Sequence, residues 1–150
     1  MNNLSFHITD ITANSIRANA SEIGLSVEEQ DTRIVIRITD NGSGMDAETA
    51  RRVTNPFYTT RTTRKVGLGL PFLIQNAEQT GGSVTLTSEP GKGTEVRAVF
   101  HSDHIDCPPW GDLPGTVALL ITGNPEINVC FEYRSGETGY SISTNEIKEI

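Results

Sequence analysis

Two back-to-back runs of strict alternation constrain this chain more than anything else in it. Ile23, Leu25 and Val27 take every second position within residues 21–29, and Ile34, Ile36 and Ile38 do the same within 32–40. A side-chain period of two sets each trio on one face of a strand, and Gln30-Asp31 between them predicts a hairpin turn. The apolar face of a hairpin needs a cover. Leu4, Ile8, Ile11 and Ala18 recur at helical spacing, with Ser15 filling the remaining place of the stripe. That pattern predicts an amphipathic helix from about residue 4 to 19.

Further elements follow by the same rules. Asp46 is placed to cap a short helix over 47–53. The polar, basic stretch Thr54–Val66, which contains Pro56, reads as a loop. A second helix is expected from about Leu68 to Gln79, stopping before Gly81-Gly82. Strands are expected over Ser83–Ser88 and Thr94–His101, joined by Glu89-Pro90-Gly91-Lys92-Gly93. Helices interleaved with a mostly antiparallel sheet make an α+β fold, a two-layer α/β sandwich.

The composition shifts after His101. Asp103–Gly111 reads as a connector, Leu113–Thr122 as a helix, and Ile127–Tyr133 with Thr138–Ser143 as a hairpin around Ser135-Gly136-Glu137. A short helix is expected over 145–150. The organisation predicted is one domain over residues 1–101 and a small C-terminal α/β extension over 102–150. Trp110, Phe131 and Tyr133 are expected to pack the extension onto the sandwich.

Charge narrows the function. A formal net charge of −7 argues against a nucleic-acid partner, which needs a basic footprint. Yet five of the twelve basic residues (Arg51, Arg52, Arg61, Arg64 and Lys65) fall in one stretch, which points to a local anionic ligand. No apolar run approaches the roughly 18 residues of a membrane span, and the N-terminus lacks the basic start and apolar core of a signal peptide. Two cysteines are too few for a disulfide framework. A cytoplasmic protein is expected.

Four groups of residues carry chemistry. Asp10, Asn14 and Arg17, spaced by four and three, are expected in one line along the first helix, opposite its apolar stripe. A carboxylate, an amide oxygen and a guanidinium can serve a metal-bound polyphosphate: the amide as a hard ligand for Mg2+, the guanidinium on phosphate, the carboxylate orienting or deprotonating a nucleophile. Asp40-Asn41-Gly42-Ser43-Gly44-Met45 follows a strand directly. Its glycines let backbone approach a flat ligand, and Asp40 can accept from an exocyclic amine. Asn55-Pro56-Phe57-Tyr58-Thr59-Thr60-Arg61 precedes Gly67-Leu68-Gly69-Leu70-Pro71, where small residues ahead of a helix expose N–H groups to phosphate. Gly91-Lys92-Gly93-Thr94 completes the set.

In this order, the four groups resemble the N, G1, F, G2 and G3 boxes of the gyrase, heat-shock chaperone, histidine kinase and mismatch-repair (GHKL) ATP-binding superfamily, over about residues 4–101. The resemblance implies that Asn14 binds Mg2+, that Asp40 pairs with the adenine amine, that Gly42, Gly44, Gly67 and Gly69 line the nucleotide, and that Thr94 helps fix adenine. It implies a mobile ATP lid over Tyr58–Val66. The ATP-binding set expected is then Asn14, Arg17, Asp40, Gly42, Gly44, Tyr58, Thr59, Thr60, Arg61, Gly67, Leu68, Gly69, Leu70 and Thr94, with Asp10 as the catalytic residue.

Within the superfamily the sequence looks most like histidine kinase catalytic domains. Pro56–Arg61 and the short lid resemble the nitrogen-regulation type, while Asn14-Ser15-Ile16 leans toward the mismatch-repair and anti-sigma branches. Three features depart from the pattern. Asp10 stands where ATPase branches usually carry Glu. The first glycine of the G2 box is replaced around Lys65-Val66. The N box lies in the first helix, which leaves no room for a helical hairpin bearing a phosphoacceptor His. His7, His101 and His104 lack flanking residues of the phosphoacceptor type, and His7 is expected as a surface or partly buried helix residue. The leading expectation is a kinase-type module that uses Mg-ATP to phosphorylate a partner protein in trans. The alternative is an ATP-dependent switch or slow ATPase that regulates a partner.

Overall fold

The structure is a computed structural model and describes residues 3–54 and 69–148. Its elements in order are α1 (Leu4–Arg17), β1 (Glu22–Gln30), β2 (Arg33–Asp40), α2 (Ala47–Thr54), α3 (Gly69–Gln79), β3 (Ser83–Glu89), β4 (Gly93–His101), α4 (Leu113–Thr122), β5 (Asn128–Ser135), β6 (Thr138–Ser143) and α5 (Thr144–Lys148). The strands form one sheet in the order β3-β4-β2-β1-β5-β6. Every neighbouring pair is antiparallel except β1 and β5, which run parallel from Glu22↔Asn128 to Glu29↔Ser135. The expected α+β sandwich is the fold found.

Local chemistry sets the element ends. Asn3 caps α1 by accepting the Phe6 N–H at 2.6 Å, and Asn19 ends it in the left-handed region at φ 63°. The first helical N–H groups, which have no intrahelical partner, donate to the connector: Leu4 to Pro109 O at 2.8 Å and Ser5 to Trp110 O at 3.0 Å. Asp46 caps α2 as expected, accepting the Thr49 N–H at 2.8 Å. The β1–β2 turn sits one residue later than expected, at Asp31-Thr32, because Asp31 takes the left-handed conformation at φ 55°.

One face of the sheet carries the core. Ile23, Leu25, Val27, Ile34, Ile36, Ile38, Val96, Ala98 and Phe100 meet Leu4, Ile8 and Ile11 of α1, Leu70, Leu73 and Ala77 of α3, and Val117, Leu120 and Ile121 of α4. Each fully buried Val, Leu, Ile or Phe among them contributes roughly 1.5–3 kcal/mol of transfer free energy. The opposite face is mostly polar. Its exceptions are Val35 and Val99, which face each other across β2 and β4 and are both buried.

Phe131 is buried as expected. Glu29 fastens Trp110 and Tyr133, its Oε1 accepting from Trp110 Nε1 at 2.7 Å and its Oε2 from Tyr133 OH at 2.5 Å. His7 corrects an expectation, since it is 1% exposed rather than on or near the surface. It sits between α1 and α3, with Nε2 2.7 Å from Asn76 Nδ2 and Phe72 stacked at a tilt beside it. Its Nδ1 has no partner, and burial drives its pKa from 6.5 down to about 4.

Candidate functional site

A cavity of about 520 Å³ opens between α1, α2, the start of α3 and the ends of β2 and β4. Ile11, Ile38, Leu70 and Val96 give it apolar walls, and Met45 and Val53 extend them. A few polar groups converge on it: Asp40 and Thr94 from the strand ends, Asn14, Ser15 and Arg17 from α1, and Ser43 and Thr49 from the segment after β2. Apolar walls with few directed polar groups are the usual make-up of a small-molecule site.

Asp40 is held rigidly. Its Oδ1 accepts the Gly42 N–H at 2.8 Å and its Oδ2 accepts the Ser15 hydroxyl at 2.6 Å. An ionised carboxylate has about four acceptor positions, so capacity remains for a donor in the cavity. The loop after Asp40 is sewn down on both sides. Asn41 Oδ1 accepts the Ser21 and Glu22 N–H groups, each at 2.9 Å, and the Ser43 N–H donates to Ala18 O at 2.9 Å. The Gly91 N–H donates to Ser43 O at 2.7 Å and the Met45 N–H to Ser88 Oγ at 2.9 Å. Gly44 has φ +72°, and a Cβ there would lie 1.9 Å from Glu89 O, so only glycine lets this loop meet the β3–β4 hairpin.

On α1, Arg17 Nη2 donates to Asn14 Oδ1 at 2.5 Å. Asp10 abuts the first residue of α3: a Cβ on Gly69 would be 3.0 Å from Asp10 Oδ2. Burial raises the Asp10 pKa, and the Arg17 guanidinium pulls it the other way. These residues flank the apolar stripe rather than oppose it, which corrects the expectation. Asn14 and Arg17 share the cavity with Ile11, Ser15 and Ala18, because helix positions three or four apart lie only about 40–60° from each other.

Of the residues singled out in the sequence, Asn14, Arg17, Asp40, Gly44, Leu70 and Thr94 line the cavity. Gly42 stands behind Asp40, and Asp10 and Gly69 meet at the root of α3. Tyr58, Thr59, Thr60, Arg61, Gly67 and Leu68 lie outside the described residues. Sequence reasoning missed Ser15 as a partner of Asp40, gave Met45 no role beyond closing the glycine motif, and missed Ser88 and Val53 as site residues. A lone hydroxyl in an otherwise apolar stripe was the one available signal for Ser15.

Asn14 Oδ1 is a hard oxygen of the kind that fits Mg2+, and it accepts from Arg17 Nη2 here. Mg2+ suits such a site because it takes one or two protein oxygens and fills its octahedron with phosphate oxygens and water.

The family model for histidine kinase-, DNA gyrase B-, and HSP90-like ATPases matches residues 3–104. The sensor histidine kinase YxdK of Bacillus subtilis (strain 168) is 29% identical over 104 residues, which cover 65% of this chain and 32% of that protein. Sporulation kinase C of the same organism is 30% identical over 101 residues, covering 66% and 23% respectively. The chain thus spans a third or less of these relatives' lengths. Among solved structures, the N-terminal domain of a DNA repair protein superposes with a TM-score of 0.57 at 18% identity, over 94% of this chain and 51% of that one. That likeness concerns the fold alone.

Proposed function

The chain belongs to the histidine kinase-, DNA gyrase B-, and HSP90-like ATPase family and is an ATP-binding, kinase-like module, and from that premise we propose that it transfers the γ-phosphoryl of Mg-ATP to a partner protein in trans. The observation that carries the reading is the placement of a clamped carboxylate at one end of an apolar cavity and an Asn14–Arg17 pair at its helix wall. Asp40 accepts from the adenine amine while Ile11, Ile38, Leu70 and Val96 enclose the base. Asn14 offers its amide oxygen to Mg2+, which supplies charge neutralisation to the phosphates when bound. Arg17 leaves Asn14 to pair with phosphate oxygens, a better match for a guanidinium than an amide.

Asp10 holds the acceptor group of the partner and takes its proton. Its raised proton affinity suits that task, since a base is more effective the closer its pKa lies to working pH. Little else is asked of the protein, because phosphoryl transfer depends on positioning and electrostatics. A cytoplasmic setting, where ATP and protein acceptors are both at hand, completes the proposal. No helix among the described residues is long and apolar enough to cross a membrane.

The test is transfer of label from γ-labelled Mg-ATP onto protein in a cytosolic extract, with the wild type and Asp10→Asn. A labelled acceptor that appears only with the wild type supports transfer. Tight Mg-ATP binding with no labelled acceptor overturns it in favour of a nucleotide-dependent switch.

A further inference from the structure

β6 is an outermost strand of the sheet, and among the described residues nothing pairs with its free side. Its residues, Thr138-Gly139-Tyr140-Ser141-Ile142-Ser143, carry no charge, whereas every other strand holds at least one Asp, Glu or Arg. An open strand is a template for another, and proteins ordinarily blunt one with Lys or Pro, a bulge or a covering element. β6 has neither Lys nor Pro, and its ladder with β5 runs unbroken from Cys130↔Ser143 to Ser135↔Thr138. The helix that follows turns back onto β5: the Val129 N–H donates to Thr144 Oγ1 at 3.0 Å, and the Asn145 N–H to Asn128 Oδ1 at 3.3 Å. The opposite edge differs, since β3 ends in Glu89 and both α2 and α3 pack on it.

Tyr140 and Ile142 stand opposite Tyr133 and Phe131, so they project from the core side of the sheet, where Phe131 is buried. Tyr140 lies against both rings, with centroids 5.9 Å from Phe131 and 5.6 Å from Tyr133. Even so, Tyr140 is 57% exposed and Ile142 37%. The apolar layer is unfinished at this edge.

Charge selects the occupant. At a net charge of −7, a second copy is repelled over most of the surface and meets least resistance where charge is absent. Pairing a strand with itself sets each residue opposite one from the same short stretch, so like charges would meet. A strand from another protein imposes no such neutrality, because its charges could answer those of β6. Register agrees as well. Antiparallel pairing about a two-fold axis through Ser141 sets Tyr140 opposite the partner's Ile142, and Ile142 opposite the partner's Tyr140. Both are aromatic–β-branched pairs of the favoured kind. On the other face, Ser141 meets its counterpart and Gly139 meets the partner's Ser143, all small side chains.

We propose that β6 is a homodimer edge, through which two copies of this chain join antiparallel into one continuous sheet with Tyr140 and Ile142 as its apolar contact. So short an edge gives a small interface, and the dimer should half-form at about 10–100 μM.

Sedimentation of the full chain from about 1 μM to about 1 mM tests this, with hydrogen exchange over residues 136–145 on the same samples. The variants are Ser141→Lys and Ser141→Glu. Within one copy Ser141 faces Glu132 across the ladder, so Lys there gains an opposite charge and the fold should hold. Between copies it sets two lysines face to face and should weaken the dimer at least about tenfold. Mixing the Lys and Glu variants should restore association to within about threefold of wild type. Exchange at β6 should slow with concentration in the wild type and in the mixture, but not in either variant alone.

A wild type that stays monomeric throughout overturns the proposal and leaves the edge to a strand of another protein. A dimer that survives Ser141→Lys, or forms with no added protection at β6, also overturns it by placing the contact elsewhere. Should both variants fail to fold, the concentration dependence of wild-type exchange at β6 decides alone.

Discussion

Replacing Asp40 with Asn changes one oxygen to an amine and removes one charge, with almost no change in volume. In the wild type, Gly42 N–H and the Ser15 hydroxyl occupy one carboxylate oxygen each. The Asn oxygen keeps the Gly42 bond, and its NH2 can donate to Ser15 Oγ, so the local backbone stays tied. What is lost is the acceptor facing the cavity. A base amine would meet an NH2 instead, losing a charge-assisted bond of about 1.5–3 kcal/mol and leaving a donor unsatisfied at about 1–3 kcal/mol. Together these weaken Mg-ATP binding by about 10² to 10⁴-fold. Stability should fall by only about 1 kcal/mol, or a melting shift of about 2–4 °C for a chain of this size. Calorimetric titration with a thermal melt on the same samples measures both. Inosine triphosphate, which presents an acceptor where ATP presents its amine, should bind the variant no more weakly than the wild type. An Asp40→Asn variant whose Mg-ATP affinity stays within about threefold of wild type would refute the assignment of Asp40 to the base.

Three further substitutions probe the frame. Gly44→Ala puts a methyl 1.9 Å from Glu89 O at φ +72°, so it should lose about 2–4 kcal/mol in urea unfolding and lose nucleotide binding with it; a variant of wild-type stability would show that the loop and hairpin do not meet this closely. His7 has a folded-state pKa of about 4 against 6.5, so the unfolded chain takes the proton first. Its contribution is complete above pH 6.5 and is lost as pH falls toward 4; wild type should therefore lose roughly 2–3 kcal/mol more than His7→Gln between pH 7.5 and 4.5, and equal losses would refute this. Glu29→Ala removes the acceptor shared by Trp110 and Tyr133, so the emission of Trp110, the sole tryptophan, should shift to the red with about 1–2 kcal/mol of stability lost; unchanged emission would mean that the clasp does not hold the connector.

Much of the fold was legible because periodicity reports burial, and burial is what decides these elements. Ile23, Leu25 and Val27 declared a strand face, and all three are core residues. The pairing of β1 with β5 was not legible, since nothing local to Glu22–Gln30 specifies what lies on its far edge. His7 was misplaced because a titratable side chain reads as polar, whereas desolvation keeps it neutral and lets it pack against Phe72. In the site, Asp40 and Thr94 were visible from the order of the motifs. Ser15 and Ser88 were not, because their importance is their geometry toward Asp40 and Thr94, and small hydroxyls carry no spacing signature of their own.

The parallel pairing of β1 with β5 also sets the order in which the protein can be made. β1 emerges about a hundred residues ahead of its neighbour, and its β5-facing edge has no partner until residues 128–135 have been synthesised. During that interval the hairpin of β1 and β2 can close locally, but Ile23, Leu25 and Val27 beside the open edge remain a template for any passing strand. The late arrival of β5 therefore acts as a timer on aggregation, and how fast residues 102–135 are translated becomes a determinant of yield that no equilibrium stability measurement would reveal.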